Sequence, residues 1–174
     1  TQWQKTPDRA WALSRRAARA LLRLAGVPLT VQGLDALPAG RPCVLVCNHA
    51  SYLDGMVLIA ALPQPHAFVA KRELQRQFVA GRFLTRLGVA FVERFDPRRS
   101  VADAQRMADA AQAGRPLLVF PEGTFGDDPA LLPFHLGAFL AAAQAGVPVV
   151  PLVLTGTRRL LGGGRWWPRR AELA

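Results

Sequence analysis

Along this chain short apolar runs alternate with longer stretches whose apolar residues recur at helical spacing. The runs are Cys43–Cys47, Ala67–Ala70, Val89–Val92, Leu117–Phe120 and Val147–Leu154, and each reads as a strand. Between them Tyr52–Leu62, Arg72–Leu87, Arg98–Ala113 and about His135–Ala145 read as helices, with Gly114 and Gly146 closing the third and fourth. This regular alternation predicts an α/β fold: a single domain with a largely parallel central sheet flanked by helices. From Leu136 to Leu154 nearly every residue is apolar, a length that suggests a membrane span. Gly146 and Pro148 interrupt it, so the stretch reads as a helix ending near Ala145 and then a buried strand, Val147–Leu154.

Ahead of this pattern, Thr6 and Pro7 suit the cap and first position of a helix that Gly26 would stop. On a helical wheel Trp11, Ala18, Leu21, Leu22 and Ala25 share one side, while Arg9, Arg16, Arg19 and Arg23 share the other. Such a basic amphipathic helix suits a membrane surface, where each arginine contributes on the order of 1 kcal/mol near anionic lipid. It equally suits a helix packed on its own domain with its arginines solvated.

Ligands in open parallel sheets bind beyond the carboxyl ends of the strands. Here Asn48-His49 follows the first run, Glu93-Arg94 the third, and Pro121-Glu122-Gly123-Thr124 the fourth. If those strands are neighbours, one crevice gathers a histidine, two acids and an arginine.

Composition narrows the partners. A chain of 174 residues fits one domain. Its formal net charge of +10 comes almost wholly from arginine, Lys5 and Lys71 being the only lysines. That balance attracts an anion, whether nucleic acid, phosphorylated substrate or lipid. No zinc-ligand set, glycine-rich clamp or interleaving of basic and aromatic residues favours nucleic acid. Cys43 and Cys47 would share one strand face ~13 Å apart, too far for a disulfide, and read as buried reduced thiols. No segment has the layout of a cleaved signal peptide. Starting at Thr1 and ending soon after Pro168, the sequence reads as an excised domain that lacks an expected last strand.

The first chemistry-bearing motif is Asn48-His49-Ala50-Ser51-Tyr52-Leu53-Asp54. It sets His49 at a strand end and Asp54 about one turn into the next helix. An aspartate against one ring nitrogen fixes the tautomer and leaves the other nitrogen to take a proton. A substrate hydroxyl would serve as nucleophile. The plainer reading is a Ser51-x-x-Asp54 capping box, with Asn48 in a turn and His49 structural. Ser51 as nucleophile lacks the Gly-x-Ser-x-Gly elbow. In Phe120-Pro121-Glu122-Gly123-Thr124-Phe125, the glycine lets the backbone approach a ligand, and Thr124 and nearby amides can donate to phosphate or an oxyanion. Read alone, that block is a tight turn with a solvated or ion-paired acid.

Together the two motifs resemble the glycerolipid acyltransferase family that includes lysophosphatidic acid acyltransferases. Its hallmark is Asn-His-x-x-x-x-Asp followed by a Phe-Pro-Glu-Gly-Thr block. The likeness extends to Ala70–Leu74, Gly88–Arg94, Pro133–Ala138 and Gly146–Pro151, covering roughly Val31 to Pro168. It implies a glycerol-phosphate acyltransferase-like domain at residues 29–174, which the amphipathic helix read at 1–28 precedes as a candidate membrane-docking element.

The resemblance also implies roles. His49 would be the general base and Asp54 its orienter. Asn48, Ser51, Lys71, Arg94, Glu122, Gly123 and Thr124 would bind substrate, Arg94 meeting the acceptor's phosphate and Lys71 lining the same pocket. The implied reaction moves a fatty acyl group from acyl-CoA or acyl-carrier protein to a lysophospholipid, foremost 1-acyl-glycerol-3-phosphate. It needs no metal or other cofactor. The implied location is the cytoplasmic face of a membrane, peripheral or anchored, with no nucleic acid partner.

Phe125 and His135 stand where members of that family usually carry arginine and lysine. Another lysolipid acceptor, or a non-catalytic anionic-lipid-binding module, is therefore the alternative. Arg72, Arg98 or Arg115 are candidate replacements for the lost charge, and Glu73–Leu87 is a second amphipathic stretch that would dock or pack.

Overall fold

The computed structural model describes residues 8–38, 40–71, 90–92, 97–126, 128, 130–161 and 171–174. Helix α1 (Asp8–Leu24) and a single 3-10 turn (Leu34–Ala36) precede the sheet. Then follow β1 (Val44–Cys47), α2 (Asp54–Ala61), β2 (Ala67–Lys71) and β3 (Ala90–Val92). The described elements end with α3 (Pro97–Gln112), β4 (Leu117–Val119), α4 (Gly137–Ala145), β5 (Val149–Leu152) and α5 (Thr157–Leu160). All four strand pairings are parallel, in the order β3-β2-β4-β1-β5.

Register assigns the two faces. Leu45, Cys47, Phe68 and Leu118 pack toward α1 and α2, while Val44, Val46, Val69, Leu117 and Val119 pack toward α3 and α4. β1 is therefore buried on both faces, which explains its unbroken apolar run. α4 stops where expected, because Gly146 takes φ 67° and Val147 N–H returns to the Ala142 carbonyl.

Three expectations change. β5 lies at the sheet edge with alternating exposure, so Val147–Leu154 is not a buried strand; Pro151 is tolerated there because edge positions need no complete ladder. β3 is separated from β4 by β2, so the third run does not neighbour the first or fourth. α1 buries only Trp11, Ala18 and Leu22, and the Leu21 and Ala25 expected beside them are exposed. Beyond Pro168, residues 171–174 are seated: Leu173 is buried, forms a parallel bridge with Leu29, and Thr155 N–H donates to the Ala174 carbonyl at 2.7 Å.

α1 is fastened to one end of α2. Trp11 Nε1 donates to the Leu62 carbonyl and Arg19 to the Ala60 carbonyl, both at 3.4 Å. These meet carbonyls that a helix leaves unpaired at its C-terminus, and the arginine suits the negative end of the helix dipole. Trp11, Ala18, Leu22 and Val27 thus belong to the same core as β1 and α2. Leu13, Leu21 and Leu24 remain on the outer side of α1, with Arg9, Arg16 and Arg23 also exposed. No helix among the described residues is long and apolar enough to cross a membrane. The predicted helix Arg72–Leu87, and with it Glu73–Leu87, lies outside the described residues.

Candidate active site

β1 and β4 are neighbours, so their carboxyl ends deliver His49 and Glu122 to one place. The backbone N–H of His49 donates to Glu122 Oε1 at 2.7 Å. Its Nδ1 faces Asp54 Oδ2, also at 2.7 Å. Asp54 opens α2 and is fully buried; the same Oδ2 accepts the amides of Ala50 at 2.6 Å and Ser51 at 3.0 Å. A carboxylate in the first turn of a helix is favoured by the dipole, and this one gathers the two amides ahead of α2 while it orients the imidazole. An ionised carboxylate only accepts, which assigns the proton to Nδ1 and the lone pair to Nε2.

The imidazole is clasped by aromatic rings that sequence reasoning did not single out for that role. Phe120 stacks on it at 4.3 Å between centroids, and Phe125 meets it edgewise at 4.6 Å. Tyr52 contacts Phe125 in turn at 4.8 Å. The His49 side chain keeps 20% exposure, enough for a substrate to reach it.

Glu122 binds the protein's own backbone with both oxygens, since Oε2 accepts Leu132 N–H at 2.8 Å. It is 4% exposed, and these two bonds tie the His49 loop to the segment at Leu132. Gly123 adopts φ 75° and its amide closes a turn onto the Phe120 carbonyl at 3.0 Å, while Thr124 is exposed.

Asn48 lines the cavity, but its side chain is locked in a two-way bond with Leu154, donating to the carbonyl at 2.9 Å and accepting the amide at 2.7 Å. Ser51 is a correction to the substrate-binding set. It is fully buried, its hydroxyl donates to the Leu161 carbonyl at 2.6 Å, and it accepts Leu53 N–H. The capping-box reading is half met, through Asp54 and the Ser51 amide.

Lys71 ends β2, two residues past the Val69 that pairs with Val119, at the same sheet edge as Pro121. Arg94 and Arg72 lie outside the described residues. Arg115 precedes β4 and so sits at the opposite, amino edge, which removes it as a replacement for the charge absent at position 125.

A cavity of about 600 Å³ opens beside His49. Leu131, Phe134, Pro151 and Val153 give it an apolar wall, and Arg158 and Thr157 stand on the β5 side. Cys47 also borders it, but burial first, then the nearby Asp54 and Glu122 charges, push its thiol up to about 12. Cys43 and Cys47 are both free and buried.

With the geometry in place, comparison with known proteins is decisive. The family model described as Acyltransferase matches residues 28–155. The chain belongs to the Acyltransferase family. It is 40% identical over 135 residues to the chloroplastic 1-acyl-sn-glycerol-3-phosphate acyltransferase BAT2 of Brassica napus, covering 77% of this chain and 39% of that protein. Human 1-acyl-sn-glycerol-3-phosphate acyltransferase beta is 39% identical over 132 residues, covering 74% and 46%. The crystal structure of the 1-acyl-sn-glycerophosphate acyltransferase PlsC from Thermotoga maritima superposes with a TM-score of 0.78 at 26% identity, covering 94% of this chain and 66% of that one. The acyltransferase chain described here therefore spans less than half the length of the two curated relatives.

Proposed function

We propose that this chain transfers a fatty acyl group from an acyl thioester to the free hydroxyl of a lysophospholipid, foremost 1-acyl-glycerol-3-phosphate. The observation that carries the reading is the His49 Nδ1 to Asp54 Oδ2 contact at 2.7 Å, on a histidine whose backbone Glu122 holds. Both named relatives are 1-acylglycerol-3-phosphate acyltransferases, which supports the acceptor.

In this mechanism Nε2 of His49 removes the acceptor's hydroxyl proton as its oxygen attacks the thioester carbonyl carbon. A tetrahedral oxyanion forms. Its collapse breaks the carbon–sulfur bond, and the departing sulfur takes the proton from the imidazolium, whose charge Asp54 stabilises. General-base catalysis of this kind contributes ~10²–10⁴-fold. Direct transfer is favoured over an acyl-enzyme because Cys47 is held as a thiol and the Ser51 hydroxyl is committed to Leu161.

The donor is acyl-CoA or acyl-carrier protein, either of which suits a chain of net charge +10, and no resident cofactor is invoked. The domain works at the cytoplasmic face of a membrane, peripheral or anchored. Leu13, Leu21 and Leu24 on the outer side of α1 enter the lipid interface while Arg9, Arg16 and Arg23 meet anionic headgroups.

The test is acyl transfer from labelled acyl thioesters to a panel of lysophospholipids in vesicles, with intact protein and His49→Ala side by side. Transfer to 1-acyl-glycerol-3-phosphate that disappears in the variant is expected. A folded, lipid-binding protein inactive across the panel would overturn this reading in favour of a binding module.

A further inference from the structure

In a 1-acyl-glycerol 3-phosphate the carbon bearing the reacting hydroxyl is bonded to the carbon bearing the phosphate. A group that binds this phosphate must therefore border the cavity that contains His49. Position 125 offers no charge, being a phenylalanine packed on His49 and Tyr52. Glu122 borders the cavity with both oxygens accepting backbone N–H groups, so it offers a phosphate no donor. Among the described residues lining it, Arg158 is the one guanidinium or ammonium side chain.

Arg158 is also held in place. It follows Gly156 and Thr157 just past the carboxyl end of β5, and its Nη1 donates to the Gly126 carbonyl, in the loop that begins with Glu122-Gly123-Thr124. That bond uses one of the five N–H groups of a guanidinium, leaving donors in the fork geometry that suits phosphate oxygens. Arg159, its neighbour, lines a different cavity with Pro28 and Glu172.

We propose that Arg158, braced by the Gly126 carbonyl, binds the acceptor's phosphate and supplies positive charge to the cavity from the β5 side. The inference rests on the lysophospholipid reading above.

Its test has two arms. Equilibrium binding of lysophosphatidic acid and of monoacylglycerol, without thioester, is compared for the intact chain, Arg158→Gln and Arg158→Lys. Acyl transfer to the same two lipids is measured separately. In Arg158→Gln the preference for the phosphorylated lipid is expected to fall about tenfold or more, each tenfold being ~1.4 kcal/mol, and Arg158→Lys is expected to retain part of it. An unchanged preference in Arg158→Gln overturns the proposal. So does equal weakening toward both lipids, which would mean that Arg158 only braces the Gly126 loop. The transfer arm judges the reaction itself: lost phosphate preference in binding, with no transfer by the intact chain to either lipid, supports Arg158 while rejecting the reaction.

Discussion

Glu122 Oε1 accepts the backbone N–H of His49 at 2.7 Å across 73 residues of sequence. The acid of the second motif thus acts on the main chain of the first, and its other oxygen fixes Leu132. Imidazole placement depends on two carboxylates: Asp54 on the ring and Glu122 on the backbone.

Glu122→Gln preserves one acceptor and turns the other into a donor that faces an N–H. We expect kcat to fall by about 10- to 100-fold through misplacement of the imidazole, and stability to fall by about 1–3 kcal/mol. Steady-state kinetics with a parallel denaturant titration checks both. Lowered stability with unchanged kcat would limit Glu122 to a folding role.

Asp54→Asn keeps the shape of the contact but presents a neutral amide to Nδ1. Loss of tautomer control and imidazolium stabilisation is expected to lower kcat by ~10²–10⁴-fold. Weaker acceptance of the Ala50 and Ser51 amides is expected to cost about 1–3 kcal/mol. A rate within threefold of the intact protein would contradict the dyad.

His66 is buried against Trp11, its Nδ1 bonded to the Gln64 carbonyl at 2.8 Å, and burial lowers its pKa below 6.5. The folded chain therefore binds this proton more weakly than the unfolded chain. Its contribution to stability is intact above about pH 6.5 and is lost as the pH falls toward the lower folded-state value. Melting temperatures between pH 8 and 5 should decline more steeply for the intact protein than for His66→Gln; parallel profiles would remove His66 as a cause.

Gly156 adopts φ 86°, and a Cβ there would collide with the Glu172 carbonyl oxygen. Gly156→Ala should destabilise the chain by about 1–3 kcal/mol and unseat Leu173 from its bridge with Leu29. Denaturant midpoints and amide exchange at Thr30, whose N–H donates to the Leu173 carbonyl, report this.

Much of this was legible in the sequence for physical reasons. β1 is buried on both faces and therefore uniformly apolar, and a glycine ends α4 where the backbone turns left-handed. The five-residue step from His49 to Asp54 is likewise a local constraint. The edge position of β5 was not legible, because an apolar run looks alike whether both its sides are paired or one. Nor was the use of Glu122, since a sequence does not reveal whether a carboxylate meets ligand or its own backbone. Arg158 was missed although the strand-end rule that selected Asn48 and Pro121 applies equally past Val149–Leu152, where Gly156-Thr157-Arg158 stands.

α2 has eight residues, about 12 Å from end to end. Asp54 holds the imidazole at one end, and the carbonyls of Ala60 and Leu62 hold α1 at the other. The short helix is in effect a spacer. With both ends fastened, it sets the distance between the imidazole and α1, whose outer side carries Leu13, Leu21 and Leu24.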